Sequence, residues 1–118
     1  MAAGKYDFTI EQGATFERKL TFYNDADKTE PRNMTGYIWR LQIRYSPFSS
    51  DILYEMTSED GQIITTNQAT GEITLKITAA NTETLNFSQA MYDLESVDGT
   101  TVKRELQGKV TLSREITK

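Results

Sequence analysis

The sequence predicts an all-β protein, a two-sheet antiparallel sandwich of about seven strands with one short helical turn near residues 78–85. Three observations carry that expectation. Apolar and polar residues alternate with period two along most of the chain, turn formers interrupt the alternation at short intervals, and helical patterning is confined to one stretch. A length of 118 residues suits one domain with one hydrophobic core, so a single domain over 1–118 is expected.

The first strand is set by Tyr6, Phe8 and Ile10 alternating with Asp7 and Thr9, and Glu11-Gln12-Gly13 breaks it. Phe16, Leu20 and Phe22 share parity in the second, with Glu17, Lys19 and Thr21 facing away. Arg18 breaks that pattern and is expected at a sheet margin or bulge. The polar stretch from Asn24 to Asn33, with Pro31, reads as a loop. After Gly36 comes the clearest strand: Tyr37, Trp39, Leu41, Ile43 and Tyr45 line one face, and Arg40, Gln42 and Arg44 the other. Pro47 and its neighbouring serines end it.

Ile52 to Met56 forms a short strand, Glu59-Asp60-Gly61 turns the chain, and Gln62 to Thr66 pairs locally. Ile73, Leu75 and Ile77 mark the next strand, and Thr78 to Leu85 carries the capping residues of one or two helical turns. Met91 to Val97 resumes as a strand, and Val102, Leu106, Val110, Leu112 and Ile116 continue to the end, with Gly108 allowing a bulge or bend. The predicted core is Phe8, Phe16, Leu20, Phe22, Trp39, Leu41, Ile43, Ile73, Leu75, Tyr92, Leu94, Leu106, Val110 and Leu112.

Between the last two strands, Asp98-Gly99 is the strongest hairpin signal. A two-residue Asp98-Gly99 turn would set Leu94 against Lys103 and Tyr92 against Glu105, placing charge on the core side. An odd loop over Asp98-Gly99-Thr100 sets Tyr92 opposite Leu106 and Glu95 opposite Lys103 instead. That register is the expectation, with Tyr92, Leu94, Val102 and Leu106 on one face.

Composition excludes several function classes. The chain has no cysteine and no histidine, so disulfides, thiolate nucleophiles, zinc-thiolate sites and Ser-His or Cys-His dyads are ruled out. A net charge of −4 argues against phosphate-backbone binding and against an anionic membrane surface. No run has the apolar length of a membrane span, and the N-terminus lacks the apolar core of a secretory signal. Synthesis and use from the cytosol of the producing cell are expected.

Carboxylates are the remaining catalytic material. Glu11, Glu17, Asp93, Glu95 and Glu105 fall in or beside strands at positions expected to face solvent, not paired across a cleft as a glycosidase requires. Asp25, Asp27 and Glu30 form an acidic run without the spacing, Gly and terminal Glu of a calcium loop. Gly13, Gly36, Gly61, Gly71 and Gly99 fall one per turn and make no phosphate loop. Arg40 and Arg44 are expected to pair with acids across strands, and Trp39 and Tyr92 to pack inside. No catalytic residue, cofactor or metal ligand is predicted.

The order of certain segments resembles a family of small immunoglobulin-like bacteriophage structural domains, found as short virion proteins and at the N-terminus of baseplate upper proteins. The segments are Tyr6 to Phe16 (YDFTIEQGATF), Met34 to Arg44 (MTGYIWRLQIR), Gly71 to Leu75, the Thr78 to Leu85 turn, Met91 to Thr100 and Gly108 to Ser113. The resemblance implies a non-enzymatic, cofactor-free sandwich that attaches virion proteins to one another. It also implies that Trp39 fills the space between the sheets and that Tyr92 stands where such domains place a tyrosine corner, two residues before a core residue, Leu94.

With Ile116 to Lys118 following the last strand closely, a free-standing adaptor, ring component or decoration protein is expected. The expected place is the virion, after synthesis in the host cytoplasm. The expected partners are other virion proteins of the tail, baseplate or capsid, in multiple symmetric copies. Neither nucleic acid nor membrane is expected as a partner. Capsid decoration is the alternative within that class. A carbohydrate-binding module, an inhibitor or immunity-type protein and a carboxylate-based hydrolase are the alternatives outside it.

Overall fold

The structure, a computed structural model, describes residues 4–23, 30, 32–114 and 116. Among the described residues, nine strands and one helix follow in order: β1 (Gly4–Lys5), β2 (Phe8–Glu11), β3 (Phe16–Thr21), β4 (Ile38–Arg44), β5 (Tyr54–Thr57), β6 (Ile63–Asn67), β7 (Glu72–Ile77), α1 (Ala79–Glu83), β8 (Gln89–Asp98) and β9 (Thr101–Ser113). They form two sheets. The larger runs β1-β9-β8-β4-β5, with β2 also on β9, and the smaller runs β3-β7-β6.

β1 and β2 are two pieces of one edge strand in a single register, Lys5 opposite Gln107 and Phe8 opposite Val110. This edge corrects the all-antiparallel expectation, because both pieces run parallel to β9. A hairpin forces its two strands antiparallel, but β2 and β9 are joined through nearly the whole chain, so nothing local sets their sense.

The sheets stack on the predicted inward residues. Trp39, Leu41 and Ile43 of β4 are fully buried, and Trp39 stacks on Phe22 from the opposite sheet, ring centroids 5.2 Å apart. The indole N–H has no acceptor among the described residues. Phe8 bridges the sheets at the other end, 5.2 Å from Phe16 and 4.7 Å from Tyr92. Leu20 and Leu106 are half-buried rather than core, whereas Ile10, Met34, Met56, Ile63, Ile77, Leu85, Phe87 and Ala90 join it. Arg18 lies on the edge strand β3, as parity suggested, but without a bulge. Its guanidinium covers the rings of Tyr6 and Phe16 and donates to the Tyr6 hydroxyl, so its stem completes the apolar face.

The helix forms where expected, with the Thr78 hydroxyl accepting from the Asn81 N–H. Thr82, fully buried, pins it to the β2–β3 turn: its hydroxyl accepts from Gly13 N–H at 3.0 Å and donates to Ala14 carbonyl at 2.8 Å.

The last hairpin departs from the expected register. The loop is the two residues Gly99-Thr100, with Asp98 opposite Thr101 and Val97 opposite Val102. A bulge in β9 between the Glu95–Arg104 and Leu94–Leu106 pairs then restores parity, setting Tyr92 opposite Gly108 and Ala90 opposite Val110. The odd residue that rescues the core is therefore Glu105, inside the strand, and not a third loop residue. Val102 consequently faces out, 54% exposed.

Glu105 corrects the solvent-facing reading too, since the bulge turns its side chain inward to 4% exposure. There it accepts from Arg32 at 2.6 Å and from the Ser96 hydroxyl at 2.7 Å, while Arg32 lies over the Phe22 ring.

Gly108 supplies a close approach rather than a bend. A Cβ there would lie 2.2 Å from the Tyr6 carbonyl oxygen and 2.6 Å from the Asp7 carboxylate. Tyr6 N–H donates to Gln107 carbonyl, and Lys109 N–H donates to the Asp7 carboxylate at 2.8 Å. The Tyr92 hydroxyl completes this crossing by donating to Tyr6 carbonyl at 2.5 Å. It therefore ties the N-terminal edge strand to β8 and does not form a tyrosine corner, whose hydroxyl bonds a few residues upstream. Burial, with the Asp7 and Tyr6 charges adding to it, pushes the Tyr92 phenol well above its ordinary range.

Candidate docking surface

The larger sheet presents one face to the core and one outward, and the outward face gathers Arg40, Arg44, Asp93 and Glu95 among the charges singled out in the sequence. Strand register fixes the rows. Ile38, Val97 and Val102 align across β4, β8 and β9; Arg40, Glu95 and Arg104 make a second row. Glu55, Gln42, Asp93 and Gln107 form the next, and Arg44, Met91 and Lys109 the last. An aliphatic row thus gives way to alternating charge.

Cross-strand pairing is found for Arg40, which meets Glu95 at 3.1 Å, and Arg104 approaches Asp93 at 3.5 Å. Arg44 does something else. Its two terminal nitrogens donate to Ser49 carbonyl and to the Gln42 side chain, each at 2.9 Å, and Gln42 in turn donates to Glu55 at 2.7 Å. Burial raises Asp93 above the usual carboxylate range, with Glu95 adding to it and Arg104 and Arg44 opposing. Both pairs are solvated and contribute little stability.

At the Met91 end the face sinks into a pocket of about 620 Å³. Its lining includes Met91, 40% exposed, with Gly108, Lys5, Asp7 and Pro47, and the cations Arg44 and Lys109. A smaller hollow, lined by Arg40, Gln42, Asp93 and Glu95, adjoins it. Beside the pocket, the β4–β5 loop projects Phe48 at 97% exposure, with Tyr45 and Ile52 also exposed.

Sheet edges offer less. On the edge strand β5, Thr57 N–H is taken by the Asp60 carboxylate, and Glu55 carbonyl accepts from the Gln62 side-chain amide at 3.2 Å. The turn after β5 thereby folds over groups that an incoming strand would need. Tyr54 reinforces it by donating its hydroxyl to Gln62.

Of the carboxylates weighed in the sequence, Glu11 and Glu17 are exposed, Asp93 and Glu95 are half-buried on the outward face, and Glu105 is inside. Asp93 and Glu95 lie on one groove, but each is drawn to an arginine. Among the described residues, no group of three acids is placed to hold a metal ion. Asp25 and Asp27 lie outside the described residues, as does most of the Asn24 to Asn33 stretch read as a loop. Lys5, Asp7, Met91 and Lys109 went unnoticed as site residues. The offset between β1/β2 and β9 that gathers them has no local sequence signal, although the parity of β8 already turns Met91 outward. No model of a known protein family matches the chain, and no curated protein matches it.

Proposed function

We propose that this chain is an immunoglobulin-like structural protein of a bacteriophage particle, a tail or baseplate adaptor that works by protein–protein contact without catalysis. The observation that carries the fold part of this reading is the strand order. With β3, β4, β5, β6, β7, β8 and β9 taken as strands B, C, C′, D, E, F and G, the sheets are G-F-C-C′ and B-E-D, with the first strand beside the last. Trp39 then occupies strand C, packed between the sheets.

For docking, the support is the outward face of the G-F-C-C′ sheet, which joins a pocket, an ordered charge array and the projecting Phe48. Strands β4, β8 and β9 hold the charged rows, and the β4–β5 loop carries Phe48 beside them. The same chemistry serves capsid decoration, which differs only in where the protein sits. A carbohydrate-binding module is less well supported, since the single tryptophan is buried and cannot serve as a sugar platform.

The test is genetic and structural together. Deleting the gene is expected to give incomplete or unstable particles, and a cryo-EM map of the purified particle is expected to show the domain at the tail or baseplate. Complete, stable and infective particles without it would remove the proposal.

A further inference from the structure

The pocket on the outward face has its own chemistry. Four cations border it, Lys5, Arg44, Arg104 and Lys109, against two carboxylates, Asp7 and Asp93. Both carboxylates are engaged, Asp7 by Lys109 N–H at 2.8 Å and Asp93 by Arg104 at 3.5 Å. The ammonium groups of Lys5 and Lys109 enter no ion pair among the described residues. A chain of net charge −4 therefore concentrates unneutralised positive charge around one hollow. The lining is not wholly polar, because Met91 and Pro47 contribute apolar surface beside the cations.

We infer that this pocket receives an acidic, extended polypeptide segment of a partner protein, one carboxylate lying between Lys5, Arg44 and Lys109 and an adjacent apolar side chain resting on Met91. Charge complementarity selects the anion, and the rest of the groove selects a peptide. A polyanion such as nucleic acid would carry its next charges onto Asp93, Glu95 and Glu55, which line the same face. A peptide with an isolated acid, followed by neutral or basic residues, meets no such repulsion. The pocket volume, about 620 Å³, accommodates two or three side chains and not a folded surface.

This inference rests on the docking reading but is tested apart from it, on the isolated chain. The probe is a labelled pair of synthetic six-residue peptides, one with a single Glu beside a Leu and followed by Ser and Lys, the other identical with Gln in place of the Glu. Two-dimensional NMR should show the acidic peptide shifting the Met91 methyl and the Gly108 and Lys109 amides. The amide peptide should leave them in place. Lys5→Gln with Lys109→Gln, which breaks no ion pair among the described residues, should weaken acidic-peptide binding at least tenfold with melting temperature unchanged. Four results would overturn the inference: equal binding of the two peptides, shifts mapping elsewhere, no loss in the double variant, or tighter binding of a single-stranded oligonucleotide. Self-association of the chain through this pocket, seen as the same shifts growing with protein concentration, would also overturn it in favour of a second copy. Particles that need the gene while the pocket fails would leave the docking proposal intact on another surface.

Discussion

Removing the carboxylate of Glu105 tests how the final hairpin holds its register. In Glu105→Ala, Arg32, whose side chain is only 15% exposed, and the buried Ser96 hydroxyl both lose their partner. Breaking a buried ion pair from one side costs about 3–5 kcal/mol, and a stranded hydroxyl about 1 kcal/mol more. Arg32 keeps its contact with the Phe22 ring and some water, which reduces the total from about 4–6 kcal/mol to about 3 kcal/mol. For 118 residues, an unfolding entropy of about 2 cal/mol/K per residue converts this to a melting temperature lowered by about 12 °C. Urea unfolding followed by Trp39 fluorescence measures it directly. Glu105→Leu with Arg32→Met, an apolar replacement of the pair, should recover most of the loss, because an intact apolar core avoids the uncompensated charge. A single-variant loss below about 1 kcal/mol, or a double variant as weak as the two singles summed, would refute the buried pair as the anchor of the bulge.

Three further outcomes are expected. Trp39→Ala should cost about 3–5 kcal/mol by chemical unfolding, the usual price of removing a large buried aromatic, since the ring is fully buried and stacked on Phe22. Gly108→Ala drives a Cβ into the Tyr6 carbonyl, so it should cost about 1–3 kcal/mol and speed hydrogen exchange at the Tyr6 and Lys109 amides. Burial works to raise Asp60, but donors from Gln62 and Thr57 more than offset it and hold its carboxyl below the usual range. A lowered pKa stabilises the fold above the unfolded value and loses that stabilisation as pH falls through the folded one. Asp60→Ala should therefore lower the melting temperature at pH 7, with the gap to wild type closing as the pH drops below about 4. A gap that widens on acidification would contradict it.

Where a residue's side is set by its strand neighbours, the sequence was legible. The centre of β4 was read correctly because Trp39, Leu41 and Ile43 alternate with Arg40, Gln42 and Arg44, and period two leaves one solution when one face must be dry. Tyr45, expected on the same face, lies past the strand end and is 55% exposed. β7 was read from Ile73, Leu75 and Ile77, although Thr74 is buried as well, being on the central strand of its sheet. The five glycines assigned to turns all have positive φ. Failures came where tertiary contacts outvote local pattern. Met34, Leu85 and Phe87 lie outside any strand, so no alternation marked them as core. The parallel edge strand was missed because its partner lies some hundred residues away along the chain, Phe8 opposite Val110.

The final hairpin shows why the candidate surface was harder to read than the core. Parity alone required one extra residue somewhere between Leu94 and Leu106, and an extra residue in the loop or within the strand satisfies that requirement equally. The choice between them depends on what the odd side chain meets. In the loop, the third residue would have gained only water; within β9, Glu105 gains Arg32 and Ser96. That partner comes from the far end of the polar stretch, at a distance the hairpin's own sequence does not encode. Moving the bulge from the turn to Glu105 also decides the outward face, because it sets Arg104 beside Glu95 and Lys109 beside Met91. With a three-residue loop and no bulge, Lys103 would have stood opposite Glu95, and Arg104 would have turned inward against Leu94. The buried Arg32–Glu105 pair thus positions the cations of the pocket without touching it, so Glu105→Ala should disturb the Lys109 and Gly108 amides as well as stability.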